Sequence, residues 1–309
     1  MDVEVIGAGI SGLTSALRLA EAGHAVRIRA AEPPSRTTSR VAGAMWGSTF
    51  AGPADRVSGW ARESLRVFRG LAGEPGSGVR IAAGTLASAS GTAPPPALFP
   101  GVEIGHAPAP PGFAAAFTIT VPVIDMRVHL DHLAGRLRDA GVAIEIARVG
   151  SLGEAAARAD VVVNAAGLGA RDLAGDPALR AVRGHHVVVE NPGLDGFFMT
   201  EPIGPAWTSW FVHGDRVVLG GVAQEDDEDL APRAADADGI LERCATVHPR
   251  LRGARVLAHE VGLRPVRAEV RVESEPLGAA RVIHDYGHGG TGVGLSWGCA
   301  RDVAALAAA

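Results

Sequence analysis

Apolar and polar positions in the first thirty residues follow two different periods. Residues 3–6, with apolar Val3, Val5 and Ile6, and the β-rich residues 26–28 are short runs of the length expected for strands of a buried sheet. Between them, apolar residues recur at the three- and four-residue spacing of a helix: Leu13, Ala16, Leu17 and Ala20. The pattern therefore predicts a strand, a helix and a second strand.

Three glycines in a G-x-G-x-x-G pattern, Gly7, Gly9 and Gly12, join the first strand to this helix. Gly7 permits a tight turn, Gly9 lets a pyrophosphate approach the backbone, and Gly12 lets the helix pack closely on the strand. The phosphates would lie at the positive N-terminus of the helix. The order of elements around the glycines therefore predicts a dinucleotide site. The other residues of this turn are Ala8, Ile10 and Ser11.

Two segments after the second strand can complete such a site. Glu32 is the acidic candidate for holding the ribose hydroxyls, although it follows the strand one residue late. The hydroxyls and backbone amides of Thr37, Thr38 and Ser39 can reach the same phosphates. An ordinary surface loop is the alternative for these three residues.

The remaining pattern alternates between helices and strands. It predicts helices at 58–72, 125–141, near 155 and at 233–247, and strands at 142–149, 161–163 and 185–190, besides a hairpin turning at Gly214 and Asp215. Asp125 is the predicted N-cap of the second helix and Gly141 its end. The prolines between residues 91 and 117 predict a loop with at most short edge strands.

Histidine and acidic clusters do not form a metal-ligand pattern. His129 and His132 are three residues apart in a predicted helix, where we expect both on the surface, and no acidic partner is in register. His185 and His186 are neighbours in a strand and so point to opposite faces. The acidic run 225–229 is predicted to be a solvated loop, because contiguous acids cannot all face one ion. We therefore predict no metal site.

Composition narrows the class of protein further. The 309 residues are 47% hydrophobic and 20% charged, which suits one large α/β unit or two domains. The net charge of −5, without a long basic run, argues against a nucleic-acid partner. Two cysteines provide neither a disulfide framework nor a CxxC metal motif. Without a basic leader or an apolar stretch of about eighteen residues, we expect a soluble cytoplasmic protein and no membrane partner.

Two further glycine-rich segments follow predicted strands. Ala166 and Gly167 come directly after an apolar strand, where a cofactor can lie against the backbone, with a tight turn as the alternative. Five glycines between residues 287 and 294 precede a closing helix, which predicts backbone amides exposed to a ligand at the start of that helix.

Five segments together resemble the D-amino-acid oxidase family of FAD-dependent oxidases. They are VIGAGISGL, TTSRVAGAMW, DVVVNAAGLGA, VGLRPVR and VIHDYGHGGTGVGLSWGCA, and the resemblance covers nearly the whole chain. It implies an α/β fold, with a Rossmann-like FAD-binding domain on a parallel sheet and a substrate domain on a mixed, mainly antiparallel sheet. It also implies that FAD is bound noncovalently, since nothing in the chain resembles a covalent attachment site.

The cofactor contacts implied by the resemblance fall into several groups. Residues 7–12 and Thr38 with its neighbours match positions around the pyrophosphate, and Val149 matches the position whose backbone holds the adenine end. The backbone beside the flavin ring is matched by Gly43, Ala44, Met45 and Trp46. The loop against the carbonyl edge of the flavin is matched by Gly289, Gly290, Thr291, Gly292, Val293 and Gly294.

Arg264, Trp210 and Gly290 are the predicted catalytic residues. Arg264 lies in a strand context that Pro265 is expected to break, and it matches the arginine that clamps the substrate carboxylate. A planar guanidinium binds both carboxylate oxygens in one plane, so that orientation rather than a side-chain base supplies most of the catalysis. A structural ion pair is the alternative role for this arginine.

The tyrosines of the family's active site are missing, because the single tyrosine, Tyr286, belongs to the YGHGG motif. Trp210 falls near the position that contacts the carboxylate in the family, and Trp207 or Thr208 falls near the mobile lid. An indole adds bulk and apolar surface and offers one N–H donor. We therefore expect neutral substrates to be preferred over acidic ones.

The predicted FAD-binding domain consists of residues 1–50, 125–184 and 262–309, and the predicted substrate domain of residues 51–124 and 185–261. The predicted reaction oxidises the CH–NH2 group of a neutral D-amino acid, with hydride transfer to FAD and O2 as the acceptor. The alternatives are an oxidase or dehydrogenase of another amine, imine or glycine-like substrate, and an inactive flavin-binding interaction protein. The expected partners are the amino acid and O2, with a homodimer as one predicted assembly.

Overall fold

The computed structural model describes residues 1–47, 51–201 and 205–309. The predicted domain ranges therefore include two segments, 48–50 and 202–204, that lie outside the described residues. Helices in the described part are α1 (Ile10–Glu21), α2 (Ala54–Leu71), α3 (Met126–Asp139), α4 (Leu152–Ala156), α5 (Ala170–Leu173), α6 (Ala234–Val247) and α7 (Gly292–Ala308). The predicted helices are confirmed, although α2 begins four residues earlier than its apolar pattern indicates.

The strands of the same ranges are β1 (Asp2–Ile6), β2 (Ala25–Ala30), β3 (Gly43–Met45), β4 (Val79–Ser88), β5 (Gly105–Ala107), β6 (Ala115–Asp125), β7 (Ile144–Ile146), β8 (Val161–Asn164), β9 (Arg180–Glu190), β10 (Phe197–Thr200), β11 (Ala206–His213), β12 (Arg216–Val222), β13 (Gln224–Glu225), β14 (Val256–Leu277) and β15 (Ala280–His288). The predicted hairpin is confirmed as β11 and β12, which are joined by the residues at 214 and 215. The strand predicted at 142–149 is shorter, and β6 was not predicted.

These strands join in one sheet with two different parts. β15, β8, β1, β2 and β7 are parallel neighbours, and the helices α1 and α7 pack against each other beside them. The strands from β3 to β14 are mainly antiparallel, with β4 and β10 as a parallel pair. A Rossmann-like parallel sheet combined with a mixed, mainly antiparallel sheet is the predicted fold class, and it is confirmed.

The long strand β14 connects the two parts of the sheet. Its first half pairs with β9 and its second half with β15, with a register shift between Val266 and Arg271 on the β15 side. The break predicted at Pro265 is wrong, since this residue pairs with Ala181 inside the strand. The Pro265 carbonyl accepts a hydrogen bond from the Gly289 amide at 2.8 Å. The N–H group that proline lacks would point to the same side of the strand, where the pairing with β15 is interrupted, so no hydrogen bond of the sheet is lost.

Helix α3 confirms its predicted cap and corrects one of its histidines. Asp125 accepts a hydrogen bond from the Arg127 amide at 3.1 Å, as expected for an N-cap. The surface position predicted for His129 is wrong: the side chain is 0% exposed, and its Nδ1 lies 2.8 Å from the Ser77 carbonyl oxygen. The ring also packs against Phe68 of α2, which covers this face of α3. His132 is partly exposed.

Glu225 ends β13, and residues 226–229 of the acidic run form a loop whose side chains pair with arginines from several elements. Asp226 pairs with Arg180, and Asp227 and Asp229 both pair with Arg233. The loop is thus held to the protein by ion pairs. In the described ranges, no helix combines the length and the apolar character needed to cross a membrane.

Candidate functional site

The glycine turn after β1 is tightly packed backbone. Gly7 has φ +111°, in the region that favours glycine. A Cβ on Gly12 would lie 2.0 Å from the Gly7 carbonyl oxygen, so the first turn of α1 can approach the strand only with glycine there. Ala8 and Ile10 are 1% and 4% exposed, so these residues can offer a ligand mainly their backbone.

The hydroxyl of Ser39 meets the start of α1. Its Oγ accepts a hydrogen bond from the Ile10 amide at 3.0 Å, and a Cβ on Gly9 would lie 3.1 Å from the same oxygen. The first turn of α1 carries no acidic side chain, and Ser11 is partly exposed there. A phosphate at this end of the helix would therefore find backbone amides and a hydroxyl but no acid in that turn.

Thr37 lies near this turn, with its Cβ 4.0 Å from a Cβ on Gly9, whereas the contacts of Thr38 and Glu32 are with other residues. Thr37 donates from Oγ1 to the Pro34 carbonyl at 2.9 Å, and the methyl group of Thr38 would be 3.2 Å from a Cβ on Gly262 of β14. Glu32 lies two residues beyond β2, with 55% of its side chain exposed, and pairs with Arg36 at 3.8 Å. Its contact with the ribose stays a prediction.

Residues after β8 and β7 lie beside the glycine turn. The Ala165 carbonyl oxygen would be 2.4 Å from a Cβ on Gly7, and Gly167 has φ +58°. Val149 is 8% exposed and belongs to an apolar cluster against which Ala166 packs. The structure thus brings the predicted contacts for the pyrophosphate and the adenine end to the same edge of the parallel sheet, as expected for a dinucleotide fold.

The segment predicted to lie beside the flavin is β3 with the two residues that follow. A Cβ on Gly43 would lie 2.9 Å from the Phe211 ring, and Ala44 is 5% exposed while Met45 is partly exposed. The Trp46 ring is 0% exposed, and its Nε1 donates to the Ala61 carbonyl at 2.8 Å. The Trp46 ring is therefore packed in the core, so this residue can contact a cofactor through its backbone.

The glycine loop before α7 meets this segment and β14. A Cβ on Gly294 would lie 2.0 Å from the Gly47 carbonyl oxygen, and one on Gly290 would lie 3.5 Å from Arg264 Cδ. Gly289 has φ +57°. The hydroxyl of Thr291 donates to the His288 carbonyl at 3.0 Å just before the helix begins with Gly292 and Val293. The start of α7 and the loop before it therefore lie close to both the segment predicted beside the flavin and Arg264, the predicted substrate clamp.

Arg264 is partly exposed, and its hydrogen bonds to the described residues go to carbonyl groups. Its Nη1 donates to the Val222 carbonyl at 3.0 Å and to the Arg183 carbonyl at 3.4 Å. Among the residues that the structure describes, no carboxylate pairs with this guanidinium. Burial lowers the pKa of Arg264 to about 10, which still leaves it charged at neutral pH. The alternative of a structural ion pair finds no partner in this part of the chain.

Trp207 contacts this arginine, whereas Trp210 does not. The guanidinium carbon of Arg264 lies 5.4 Å from the centroid of the Trp207 ring. Trp210 is 6% exposed and stacks on Phe198 at 4.3 Å, in a cluster that includes Ile240 of α6. The predicted contact of Trp210 with the carboxylate is therefore corrected, since the register of β11 turns this side chain to the opposite face of the sheet.

Two residues near the clamp were missed in the sequence. Ser209 pairs with Gly220 across the hairpin, and a Cβ on that glycine would lie 3.0 Å from Ser209 Oγ and 2.7 Å from His186 Cδ2. Burial and the charge of Arg264 lower the pKa of His186 to about 4. The alternation of the two neighbouring histidines was the available signal, because it places one of them on the same face of β9 as Gly184.

A buried cluster under α7 could offer ligands to a metal, although none was predicted. Asp285, His288 and Cys299 place one ligand atom each within 4.8 Å of one another. His288 Nε2 lies 3.2 Å from Asp285 Oδ1, and Ser15 donates to Asp285 Oδ2 at 2.9 Å. Asp285 therefore has partners within the core, namely His288 and Ser15.

The parallel sheet is of the dinucleotide-binding type, and three glycine-rich segments lie at one edge of it. A charged arginine lies beside them. These features together define a nucleotide-dependent oxidoreductase of the two-part flavoprotein type. The sequence profile of the family described as FAD dependent oxidoreductase matches residues 2–306. The chain belongs to this family and is an FAD-dependent enzyme.

Individual relatives agree with this assignment. The chain is 46% identical to a D-amino-acid oxidase of Rubrobacter xylanophilus, over 99% of this chain and 95% of the relative. It is 43% identical to a D-amino-acid oxidase of Streptomyces coelicolor, over 99% of this chain and 96% of the relative. The crystal structure of glycine oxidase from Geobacillus kaustophilus is similar in fold, with a TM-score of 0.79, 18% identity, and coverage of 99% of this chain and 94% of that one.

Proposed function

We propose that the protein is a D-amino-acid oxidase that converts a neutral D-amino acid into the imino acid, which hydrolyses to the 2-oxo acid and ammonia. Bound FAD supplies the hydride acceptor, and O2 is the proposed final acceptor. The single observation that carries the proposal is the Arg264 guanidinium, which has carbonyl partners and no carboxylate within the described ranges. The relatives at 46% and 43% identity support the same substrate class.

Arg264 would hold the substrate by its carboxylate. One guanidinium nitrogen is anchored to Val222, which fixes the plane of the fork while its remaining N–H groups stay available to an anion. Trp207 supports the guanidinium from one side. With the carboxylate held by Arg264 and Gly290 next to the side chain of this arginine, the residues present would orient the Cα hydrogen and need no side-chain base.

The segments at the other end of the site fit FAD. The Gly9 backbone and the Ser39 hydroxyl form a cradle that a side chain at position 9 would fill, and the start of α1 favours an anion there. We infer that residues 1–50, 125–184 and 262–309 form the FAD-binding domain and that 51–124 and 185–261 form the substrate domain. A homodimer and a cytoplasmic location stay predictions.

A second candidate is the oxidation of another amine, imine or glycine-like substrate. The absence of tyrosine from the sequence around the clamp favours it, since Tyr286 donates its hydroxyl hydrogen bond to Asp176 at 2.8 Å. An inactive flavin-binding protein is disfavoured, because such a protein has no need for an arginine that pairs with no carboxylate of the described residues.

Anaerobic mixing of the purified holoenzyme with D-amino acids, L-amino acids and glycine tests the proposal. Bleaching of the flavin by neutral D-amino acids is the expected result. Bleaching by glycine or an N-substituted amine alone would support the second candidate, and no bleaching by any of them would support the inactive one. Acid precipitation should release the flavin into the supernatant, whereas colour that remains with the denatured protein would contradict noncovalent binding.

A further inference from the structure

The two neighbouring histidines of β9 have different surroundings. His185 is 0% exposed and lies 3.9 Å from Asp236. His186 is partly exposed and lies on the same face of the strand as Gly184, where a Cβ would be 2.5 Å from the Arg264 guanidinium. His186 therefore shares the face of the sheet that carries the proposed substrate clamp.

The hydrogen bonds of His186 determine which ring nitrogen carries the proton. Nδ1 lies 2.8 Å from the Val41 carbonyl oxygen, and a carbonyl can only accept, so Nδ1 must be the donor. In the neutral ring, Nε2 is then an acceptor. No described residue donates to Nε2, which would lie 3.0 Å from a Cβ on Gly220.

The ring stays neutral at the pH where the enzyme would work. Burial, followed by the charge of Arg264, lowers the pKa of His186 to about 4, and His185 lowers it further. The hydrogen bond to the Val41 carbonyl acts in the opposite direction and raises this pKa, but by less than burial lowers it. At neutral pH the substrate site therefore contains a fixed hydrogen-bond acceptor close to a fixed cation.

We propose that His186 is a specificity-determining residue whose Nε2 accepts a hydrogen bond from the side chain of the substrate. This inference rests on the proposed function. Side chains that donate, such as an amide, would be favoured over a carboxylate of the same shape, which would bring its own lone pairs against Nε2. Arg264 would not relieve this contact, because the α-carboxylate of the substrate already engages it.

Three substrates of similar shape differ in what they present to Nε2: D-asparagine has an amide that can donate, D-leucine an apolar group, and D-aspartate a carboxylate that can only accept. With the wild-type holoenzyme at pH 8, we expect kcat/KM for D-asparagine to exceed that for D-aspartate by at least about tenfold, because an unpaired buried charge is costly. Equal values, or a preference for D-aspartate, would overturn the inference. If no D-amino acid reduces the flavin at all, the proposed function fails instead.

Two variants of His186 test the acceptor directly. His186→Asn can still donate to the Val41 carbonyl but does not reach the position of Nε2, whereas His186→Gln can place an oxygen there. We expect the ratio of kcat/KM for D-asparagine over D-leucine to fall about three- to tenfold in His186→Asn, mainly through KM, and to be largely kept in His186→Gln.

A control variant and a binding measurement separate this role from a structural one. His185→Asn makes the same change on the opposite face and should leave the substrate ratio at the wild-type value. FAD content, read from the ratio of flavin to protein absorbance, should be retained in His186→Asn. A ratio that changes equally in both variants, or that does not change in His186→Asn, would contradict the proposed acceptor.

Discussion

The guanidinium of Arg264 lies over the indole ring of Trp207, with 5.4 Å between the guanidinium carbon and the ring centroid. The pair joins β14 to β11, two strands that are not neighbours in the sheet. A cation over an aromatic face is stabilised without losing its charge. The arrangement therefore holds a positive group in place where it can still bind an anion.

Replacing Arg264 tests whether it binds the substrate carboxylate. We expect Arg264→Ala to lower kcat/KM by about a hundredfold or more, since the loss of a charged bidentate contact costs about 2–4 kcal/mol. Arg264→Lys keeps a charge but loses the planar fork, so it should recover only part of this activity. Steady-state kinetics with one neutral D-amino acid measure both effects.

FAD content should be unchanged in the Arg264 variants, because this residue is assigned to the substrate. Arg255→Ala is a suitable control, since Arg255 lies just before the same strand in an exposed pair with Glu190 at 3.1 Å. Wild-type kinetics in Arg264→Ala would place the carboxylate elsewhere.

The two tryptophans of β11 should give opposite results. Trp207→Ala removes the aromatic face beneath the clamp and should raise KM about three- to thirtyfold with little change in melting temperature. Trp210→Tyr instead places a hydroxyl in an apolar cluster and should lower the stability by about 1–3 kcal/mol. Kinetics and thermal unfolding of both variants check this, and a change of substrate ranking in Trp210→Tyr would restore the role predicted from the sequence.

The dinucleotide end of the site could be predicted because its geometry is local. Gly7, Gly9 and Gly12 lie within six residues of one another. The reasons for glycine at positions 7 and 12 are contacts within the same turn or with the residues that follow the neighbouring strand β8, whereas Gly9 faces Ser39. Ala165, which packs there, also follows directly after a strand, and the carboxyl ends of parallel strands meet at one edge of the sheet.

The substrate end could not be predicted to the same degree because it depends on strand register. β11 shows a register irregularity between Ala206 and Ser209, and a shift of one residue exchanges the two faces of a strand. A sequence match near the hairpin therefore selected Trp210, whereas pairing with Gly220 places Ser209 beside His186. β14 likewise continues through Pro265 because β9 pairs with it there, which the residues of β14 alone do not indicate.

Two glycine-to-alanine substitutions should have effects of opposite sign. Gly12→Ala places a Cβ 2.0 Å from the Gly7 carbonyl oxygen, which is backbone, so we expect a loss of about 3 kcal/mol or more and loss of bound FAD. Gly135→Ala in α3 meets nothing within 4 Å and should stabilise the protein by about 0.5–1 kcal/mol. Flavin content and urea unfolding measure both, and FAD retention in Gly12→Ala would contradict the close packing of α1.

The buried His129 should make stability depend on pH. Burial lowers its pKa from 6.5 to about 4, so the unfolded chain binds a proton in this pH range that the folded protein does not. The contribution of neutral His129 to the free energy of unfolding is then fully present above pH 6.5 and is lost as the pH falls toward 4. At pH 5 the loss from this residue is about 2 kcal/mol.

His129→Asn removes this titration while an amide nitrogen can still donate to the Ser77 carbonyl. We expect the variant to lose less stability than the wild type between pH 7 and pH 5, by about 2 kcal/mol in urea unfolding. His106→Asn changes an exposed histidine and should keep the wild-type dependence on pH. Because burial also lowers the pKa of His186 and His213 to about 4, the variant should keep part of the slope. An unchanged slope would show that folding does not lower the pKa of His129.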